Sequence, residues 1–330
     1  MIRFKTLPLD LSDFEAVKKV MEAKSLSMGK TVAELEDRFA DYVGAKYAVA
    51  LNSCTSALFL CAMYKGDTYE IPSMTVPLVA NSIIHAGKDL EFRDDVKWVG
   101  HSYPIDNGVW DSAHEVKMRT DWRYNVAVCY SFYPTKPICS AEGGMICTND
   151  EELVKWVRKA RWYGRSEGES VIKNSWEYQI EFAGWKRNMT DIQAAIALNR
   201  LKKLNEVNTE RRRVLSRYNK FFDKSESSMY LYRINVKHRD DFIKWMRARG
   251  VECGVHFAPL HRMEPYKHCR VNGDMPKTMK DYETTVSLPY HHELSDKDID
   301  YICELVGEWT DKTSVIGRPS PLAEVPSTKK

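Results

Sequence analysis

Tyr47-Ala48-Val49-Ala50-Leu51-Asn52-Ser53-Cys54-Thr55-Ser56-Ala57-Leu58-Phe59-Leu60 compresses a strand, a polar turn and the start of a helix into one short stretch. Tyr47 to Leu51 has strand length, Asn52 to Ser56 is polar, and Ala57 to Tyr64 is apolar again. Upstream, Val32, Leu35, Phe39 and Val43 recur from Lys30 at helical spacing, and Gly44 stands where a left-handed residue ends a helix. Downstream, strands are expected at Tyr69 to Pro72, Leu90 to Arg93, Lys97 to Val99, Gly108 to Asp111, Val126 to Phe132 and Gly144 to Thr148. A helix capped by Asp150 is expected from Glu151 to Tyr163, and a long mixed-charge helix from Thr190 to Phe222. Strands interleaved with helices predict an α/β fold, a mostly parallel sheet sandwiched by helices.

The long helix 190–222 divides the chain into a large α/β domain, 1–222, and a smaller C-terminal α+β domain, 223–310. In the latter, Met229 to Val236, Asp240 to Arg249, Val251 to Phe257, Thr284 to Leu288 and Asp296 to Trp309 alternate between strand and helix. The tail 311–330, rich in Pro, Ser, Thr and Lys, reads as disordered. A length of 330 residues with 43% hydrophobic content suffices for two cores. The 49 Lys and Arg against 46 Asp and Glu leave a net charge of +3, spread along the chain, which gives no reason to expect nucleic acid or an anionic membrane as partner. No apolar run approaches the roughly 20 residues that span a bilayer, and Met1 to Leu11 lacks the apolar core of a signal peptide, so a cytoplasmic protein is expected. The eight cysteines show no C-x-x-C spacing and read as reduced core thiols, with no metal site.

Three segments could carry chemistry. Asn52 to Ser56 sets backbone N–H groups and hydroxyls at a helix N-terminus, which suits a phosphate, although ordinary N-capping accounts for the same residues. Ser131-Phe132-Tyr133-Pro134-Thr135-Lys136, followed by Ala141-Glu142-Gly143-Gly144, brings a lysine from a strand end to the edge where open α/β sheets bind ligands. Such an amine forms a Schiff base with an aldehyde cofactor once burial and nearby positive charge lower its pKa; the alternative is a solvated surface lysine. Trp110-Asp111-Ser112-Ala113-His114 places an acid at a strand end, where it either caps a helix or meets a cation such as a protonated pyridine nitrogen.

In this order and at these separations, together with Gly44-Ala45-Lys46, Pro72-Ser73-Met74-Thr75, Gly184 to Ala195 and Val286-Ser287-Leu288-Pro289, the segments resemble the DegT/DnrJ/EryC1/StrS family of pyridoxal-phosphate (PLP)-dependent nucleotide-sugar aminotransferases. These are fold-type I enzymes, and the similarity runs from Met28 to Val306. The resemblance implies that Lys136 carries the cofactor and moves the proton between substrate carbon and cofactor, and that Asp111 pairs with the pyridinium nitrogen. It further implies that His114 lies against the cofactor, that Ser131, Thr55 and the backbone N–H groups of Cys54 and Thr55 hold its phosphate, and that Asn188 reaches across a homodimer to make composite sites. His256 matches a position that approaches the sugar in some relatives, or else packs for structure.

The implied reaction moves an amino group from L-glutamate to a nucleotide-linked 4-keto-6-deoxy sugar, with PLP cycling through its amine form, PMP. His114 and the run Lys136 to Glu142 look more like the 4-amino than the 3-amino branch. A PLP-dependent sugar dehydratase and a noncatalytic binding or regulatory protein are the alternatives; relatives of the first kind carry histidine in place of the lysine. Two departures stand out. Val76 occupies the position of an aromatic residue that stacks on the cofactor, and Tyr130 or Trp110 is expected to compensate. Only about fifteen residues separate the strands near Leu90 and Gly108, where the family has a longer helical segment, and a parallel crossover alone needs roughly a dozen, so a trimmed sheet is expected.

Overall fold

The computed structural model describes residues 1–166, 177–222 and 228–313. Helix α1 (Leu11–Glu22) starts at a reciprocal cap, in which the Asp10 side chain accepts from the Ser12 N–H and Asp13 Oδ2 accepts from the Asp10 N–H at 2.8 Å. Helix α2 (Lys30–Val43) ends at Gly44, whose φ of +79° is the left-handed conformation predicted for it. Strand β1 (Tyr47–Leu51), helix α3 (Cys54–Tyr64), strand β2 (Thr68–Pro72), helix α4 (Pro77–His85) and strand β3 (Asp89–Arg93) follow. Then come strands β4 (Tyr103–Pro104), β5 (Val109–Asp111), β6 (Ala127–Ser131) and β7 (Gly144–Thr148), and helix α5 (Glu151–Arg161), capped by Asp150.

The main sheet has the order β1-β7-β6-β5-β4. β5 and β6 run parallel, and β7 runs antiparallel to both of its neighbours, so β1, β5 and β6 share one direction. β2 and β3 pair in parallel as part of a separate three-stranded sheet. Alternate residues feed two cores: Val49, Leu51, Cys129 and Ile146 face α3, α4 and α5, whereas Ala48, Ala50, Val128, Tyr130 and Met145 face α2 and the long helix α6 (Asp191–Tyr218). Helices on both faces of a mixed sheet are as predicted for an α/β fold, and three of its five strands share one direction; the reversal of β7 is not legible in its own residues.

β1 is an edge strand, and its outward backbone groups are covered by a buried ion pair. Glu36 on α2 accepts from the Ala50 N–H at 2.8 Å and from the Arg161 guanidinium, while Arg161 donates to the Ala50 carbonyl at 2.7 Å. Further along the same edge, the Asn52 N–H donates to the Arg187 carbonyl at 2.9 Å.

Past α6 come strand β8 (Tyr232–Asn235), helix α7 (Arg239–Ala248), strand β9 (Arg270–Val271), helix α8 (Pro276–Thr284), strand β10 (Thr285–Leu288) and helix α9 (Asp296–Thr313). A third core gathers Val214 and Tyr218 from α6 with Tyr232, Phe242, Val286 and Ile302.

Several expectations are corrected. The long helix stops at Tyr218 rather than Phe222, because Lys220 and Phe221 turn their N–H groups back to carbonyls three residues earlier. Lys97 to Val99 forms a turn, and Val251 to Phe257 makes only single bridges, Val251 to Ile2 and Gly254 to Ser287. α9 extends to Thr313, into the segment expected to be disordered; 314–330 lie outside the described residues. The first residues pack on the C-terminal part of the chain, where the Ile2 N–H donates to the Gly250 carbonyl and the Phe4 ring stacks on His256.

Glu36→Ala leaves Arg161 buried without its carboxylate and the Ala50 N–H without an acceptor, and should cost about 3–5 kcal/mol of unfolding free energy. Urea denaturation measures it, and a loss below about 1 kcal/mol would show that water replaces the pair.

Candidate active site

Because β1, β5 and β6 point the same way, their carboxyl ends open onto one crevice. A cavity of about 390 Å³ lies there, lined among others by Thr55, Val76, Asp111, His114, Ser131 and Lys136. Residues 132–143 connect β6 to the reversed β7 and project Lys136 over the cavity. The loop is pinned by Phe132 N–H to the Gly143 carbonyl, Ser140 N–H to the Phe132 carbonyl, and Lys136 N–H to the Tyr133 carbonyl.

At one end of the cavity stands the N-terminus of α3. Ser53 caps it by accepting from the Ser56 N–H at 3.1 Å, and the N–H groups of Cys54 and Thr55 find no protein acceptor among the described residues. The Ser131 hydroxyl stands nearby on β6, because Ser131 and Leu51 both pair with Gly144. A Cβ at Gly144 would lie 2.4 Å from the Cys54 nitrogen, so glycine is required for the helix to come this close. Free N–H groups, two hydroxyls and a helix dipole fit a phosphate dianion.

At the other end, Asp111 ends β5 in a buried position. Its Oδ1 accepts from the Ala113 N–H and its Oδ2 from the Tyr103 hydroxyl, both at 2.9 Å. Burial pushes the carboxyl pKa up, against those two donors and the charge of Lys136. A protonated heterocyclic nitrogen would offset that burial, so the donor set fits the ring of PLP as well as its phosphate. The Lys136 amine lies 4.8 Å from the centre of the Tyr230 ring, and Tyr230 stacks on His114 with ring centres 4.3 Å apart. Burial, then the charge of Lys136, hold the His114 pKa well below its ordinary value, so this imidazole is neutral.

Cys54, Thr55, Asp111, His114, Ser131 and Lys136 thus line one cavity. Asn188 and His256 are not in this wall. The Asn188 amide donates to the Met189 carbonyl at 3.2 Å, next to the β1 edge. His256 Nδ1 lies 2.9 Å from the Ser287 hydroxyl, with its pKa lowered to about 3 by burial and by Lys5. The expectation that Tyr130 or Trp110 compensates for Val76 is corrected. Tyr130 faces the opposite core, 5.0 Å from Phe39, and Trp110 lies under the Arg119 guanidinium. The rings that line the cavity are Trp98, His101, Tyr103, Tyr133 and His114, and sequence reasoning missed all but the last. The dipeptide Tyr103-Pro104, just before the strand that carries Asp111, was the available signal.

The sequence pattern of the DegT/DnrJ/EryC1/StrS aminotransferase family matches residues 9–97 and 123–307. The spore coat polysaccharide biosynthesis protein SpsC of Bacillus subtilis is 31% identical over 371 aligned positions, covering 91% of this chain and 95% of SpsC. A UDP-4-amino-4,6-dideoxy-N-acetyl-β-L-altrosamine transaminase of Campylobacter jejuni is 26% identical, covering 92% of this chain and 96% of that protein. Spr1654 of Streptococcus pneumoniae, solved in its PMP-form, superposes with a TM-score of 0.81 at 22% identity over 94% of this chain and 100% of that one. Its PLP-form gives the same score at 23% identity, over 94% of this chain and 98% of that one. With its sequence matched over most of its length and a cavity built for PLP, the chain belongs to the DegT/DnrJ/EryC1/StrS aminotransferase family, a family of PLP-dependent enzymes.

Proposed function

We propose that the protein transfers an amino group from L-glutamate to the 4-keto carbon of a nucleotide-linked 6-deoxy sugar, and that it does so as a homodimer with shared active sites. The observation that carries this reading is the meeting of Lys136, Asp111 and the α3 N-terminus in one cavity. Amination at carbon 4 is supported by the Campylobacter relative, whose name specifies a UDP-linked 4-amino-4,6-dideoxy sugar.

PLP, when bound, supplies an aldehyde for the amine and a ring that takes up electron density. Around it the chain's own residues divide the work. The Cys54 and Thr55 N–H groups, with the Thr55 and Ser131 hydroxyls, bind the phosphate and so fix the register of everything beyond it. The Asp111 carboxylate keeps a proton on the ring nitrogen. Lys136 would hold the cofactor covalently, and its amine, once free, would serve as the acid–base that moves a proton at the substrate carbon. His114, being neutral, packs against the cofactor without adding a competing charge. Asn188 completes the partner's site from the edge of β1, and His256 acts from behind the wall by holding Ser287.

An absorbance spectrum tests the reading. With PLP added, a band at roughly 410–430 nm is expected; L-glutamate should remove it, and one nucleotide 4-keto sugar from a panel should restore it. Restoration only by a 3-keto sugar would move the reaction to carbon 3, and an unchanged band with glutamate would exclude that donor.

Lys136→Ala should lower kcat by more than about 10³-fold while the protein stays folded and dimeric, because anchor and proton carrier go together. Near wild-type turnover would refute the assigned role. Mixing inactive Lys136→Ala and Asn188→Ala subunits should restore about a quarter of wild-type activity, since half of the dimers are hybrids and each hybrid keeps one complete site. No recovery in verified hybrid dimers would mean that Asn188 serves its own subunit.

A further inference from the structure

The turn after β3 is short, and it returns the chain through β4 directly beside Asp111. In the antiparallel register of β4 and β5, Tyr103 is paired with Asp111, so both side chains stand on the same face of the sheet. The Tyr103 hydroxyl reaches Asp111 Oδ2 at 2.9 Å and the Thr75 hydroxyl at 2.8 Å. An ionised carboxylate only accepts, and tyrosine has a single proton, so the order of donation is set: Thr75 to Tyr103, and Tyr103 to Asp111. Thr75, Tyr103 and Asp111 are 1%, 2% and 6% exposed, so water does not substitute for any member of the chain. Trp98 packs on Tyr103 with ring centres 4.0 Å apart and limits the ring's movement.

We propose that Tyr103, backed by Thr75, is a positioning residue that holds the Asp111 carboxylate ionised and aimed at the cofactor's ring nitrogen. With Ala113 on Oδ1 and Tyr103 on Oδ2, the carboxylate plane is fixed from two sides while each oxygen keeps a free lone pair for the ring N–H. Removing the Tyr103 hydroxyl leaves a buried Oδ2 with one donor fewer, and burial then favours the protonated acid, which no longer pairs with a pyridinium. Tyr103 lies in 98–122, between the two stretches matched by the family pattern, and Thr75 immediately precedes Val76, the residue that stands in place of a stacking ring. Cofactor retention that stacking does not provide is thus supplied at the nitrogen end. The inference rests on the reading that Asp111 pairs with the ring nitrogen.

The test uses the full-length apoprotein titrated with two probes, PLP and its 1-deaza analogue, in which the ring nitrogen is replaced by C–H, each followed by quenching of tryptophan fluorescence. Wild type should bind PLP more tightly than the analogue, and Tyr103→Phe should reduce that discrimination about tenfold while leaving affinity for the analogue unchanged. Thr75→Val should act in the same direction with a smaller change. Equal losses for both probes would make Tyr103 a packing residue and overturn the inference, as would undiminished discrimination in Tyr103→Phe. No discrimination in wild type would remove the Asp111 reading itself, and the inference with it.

Discussion

Gly144 is the point on which the site turns. It begins β7, pairs with Leu51 on one side and Ser131 on the other, and leaves room for the Cys54 nitrogen where a Cβ would intrude. Through that one missing side chain, the N-terminus of α3 and the end of β6 are brought to the same place, and the unpaired donors of the first meet the hydroxyl of the second. The reversal of β7 has a second consequence. An antiparallel connection needs no crossover helix, so residues 132–143 are free to form a loop over the cavity and carry Lys136 there.

The electrostatics of the cavity follow from what surrounds it. Lys5 and Lys136 stand 4.3 and 4.8 Å from the centre of the same Tyr230 ring, and Lys5 also donates to the Tyr290 carbonyl at 3.0 Å. Burial, then the neighbouring Arg211 and Lys136, push the Lys5 pKa well below its ordinary value. Burial first, and the neighbouring cations after it, hold His114 and His256 neutral. Lys136 is the cation among the residues that line the cavity, beside the acids Asp111 and Glu142, so phosphate is drawn to the N-terminus of α3 rather than to a surplus of cations. The N-terminal residues take part in this although they precede the first helix, because Ile2 to Lys5 pack on elements from the other end of the chain.

What could be read from the sequence was what local chemistry dictates. The stop at Gly44, the cap at Asp150 and the turn after Leu51 each depend on residues a few positions apart. Of the six residues that converge in the cavity, Cys54, Thr55, Asp111 and Lys136 stand at a helix N-terminus or a strand end whose local chemistry is recognisable, whereas His114 and Ser131 were pointed to by the family resemblance alone. Strand direction, by contrast, is decided by partners distant in sequence, and nothing within Gly144 to Thr148 shows that it runs against β1 and β6. Tyr130 illustrates the same limit: its place on an apolar strand is plain, but one position of alternation decides whether it faces the cofactor or Phe39. α4 was missed because Pro77 reads as a breaker, whereas at the first turn of a helix its lost N–H costs nothing.

The shortened stretch between β3 and β5 shows how a deletion can be absorbed. SpsC aligns over more positions than this chain has residues, so the relative contains segments absent here. A crossover helix would cover the carboxyl end of β5 from a distance and leave Asp111 to be oriented by whatever side chains that helix presented. A tight return through β4 instead places the backbone of residue 103 one strand spacing from β5, where a tyrosine is long enough to reach the carboxylate and short enough to be held by Thr75 and Trp98. The geometry of this cross-strand pair is imposed by the sheet register itself. The register that sets Tyr103 opposite Asp111 also fixes β4 in the sheet, so orientation of the acid and closure of the sheet edge are achieved by the same residues.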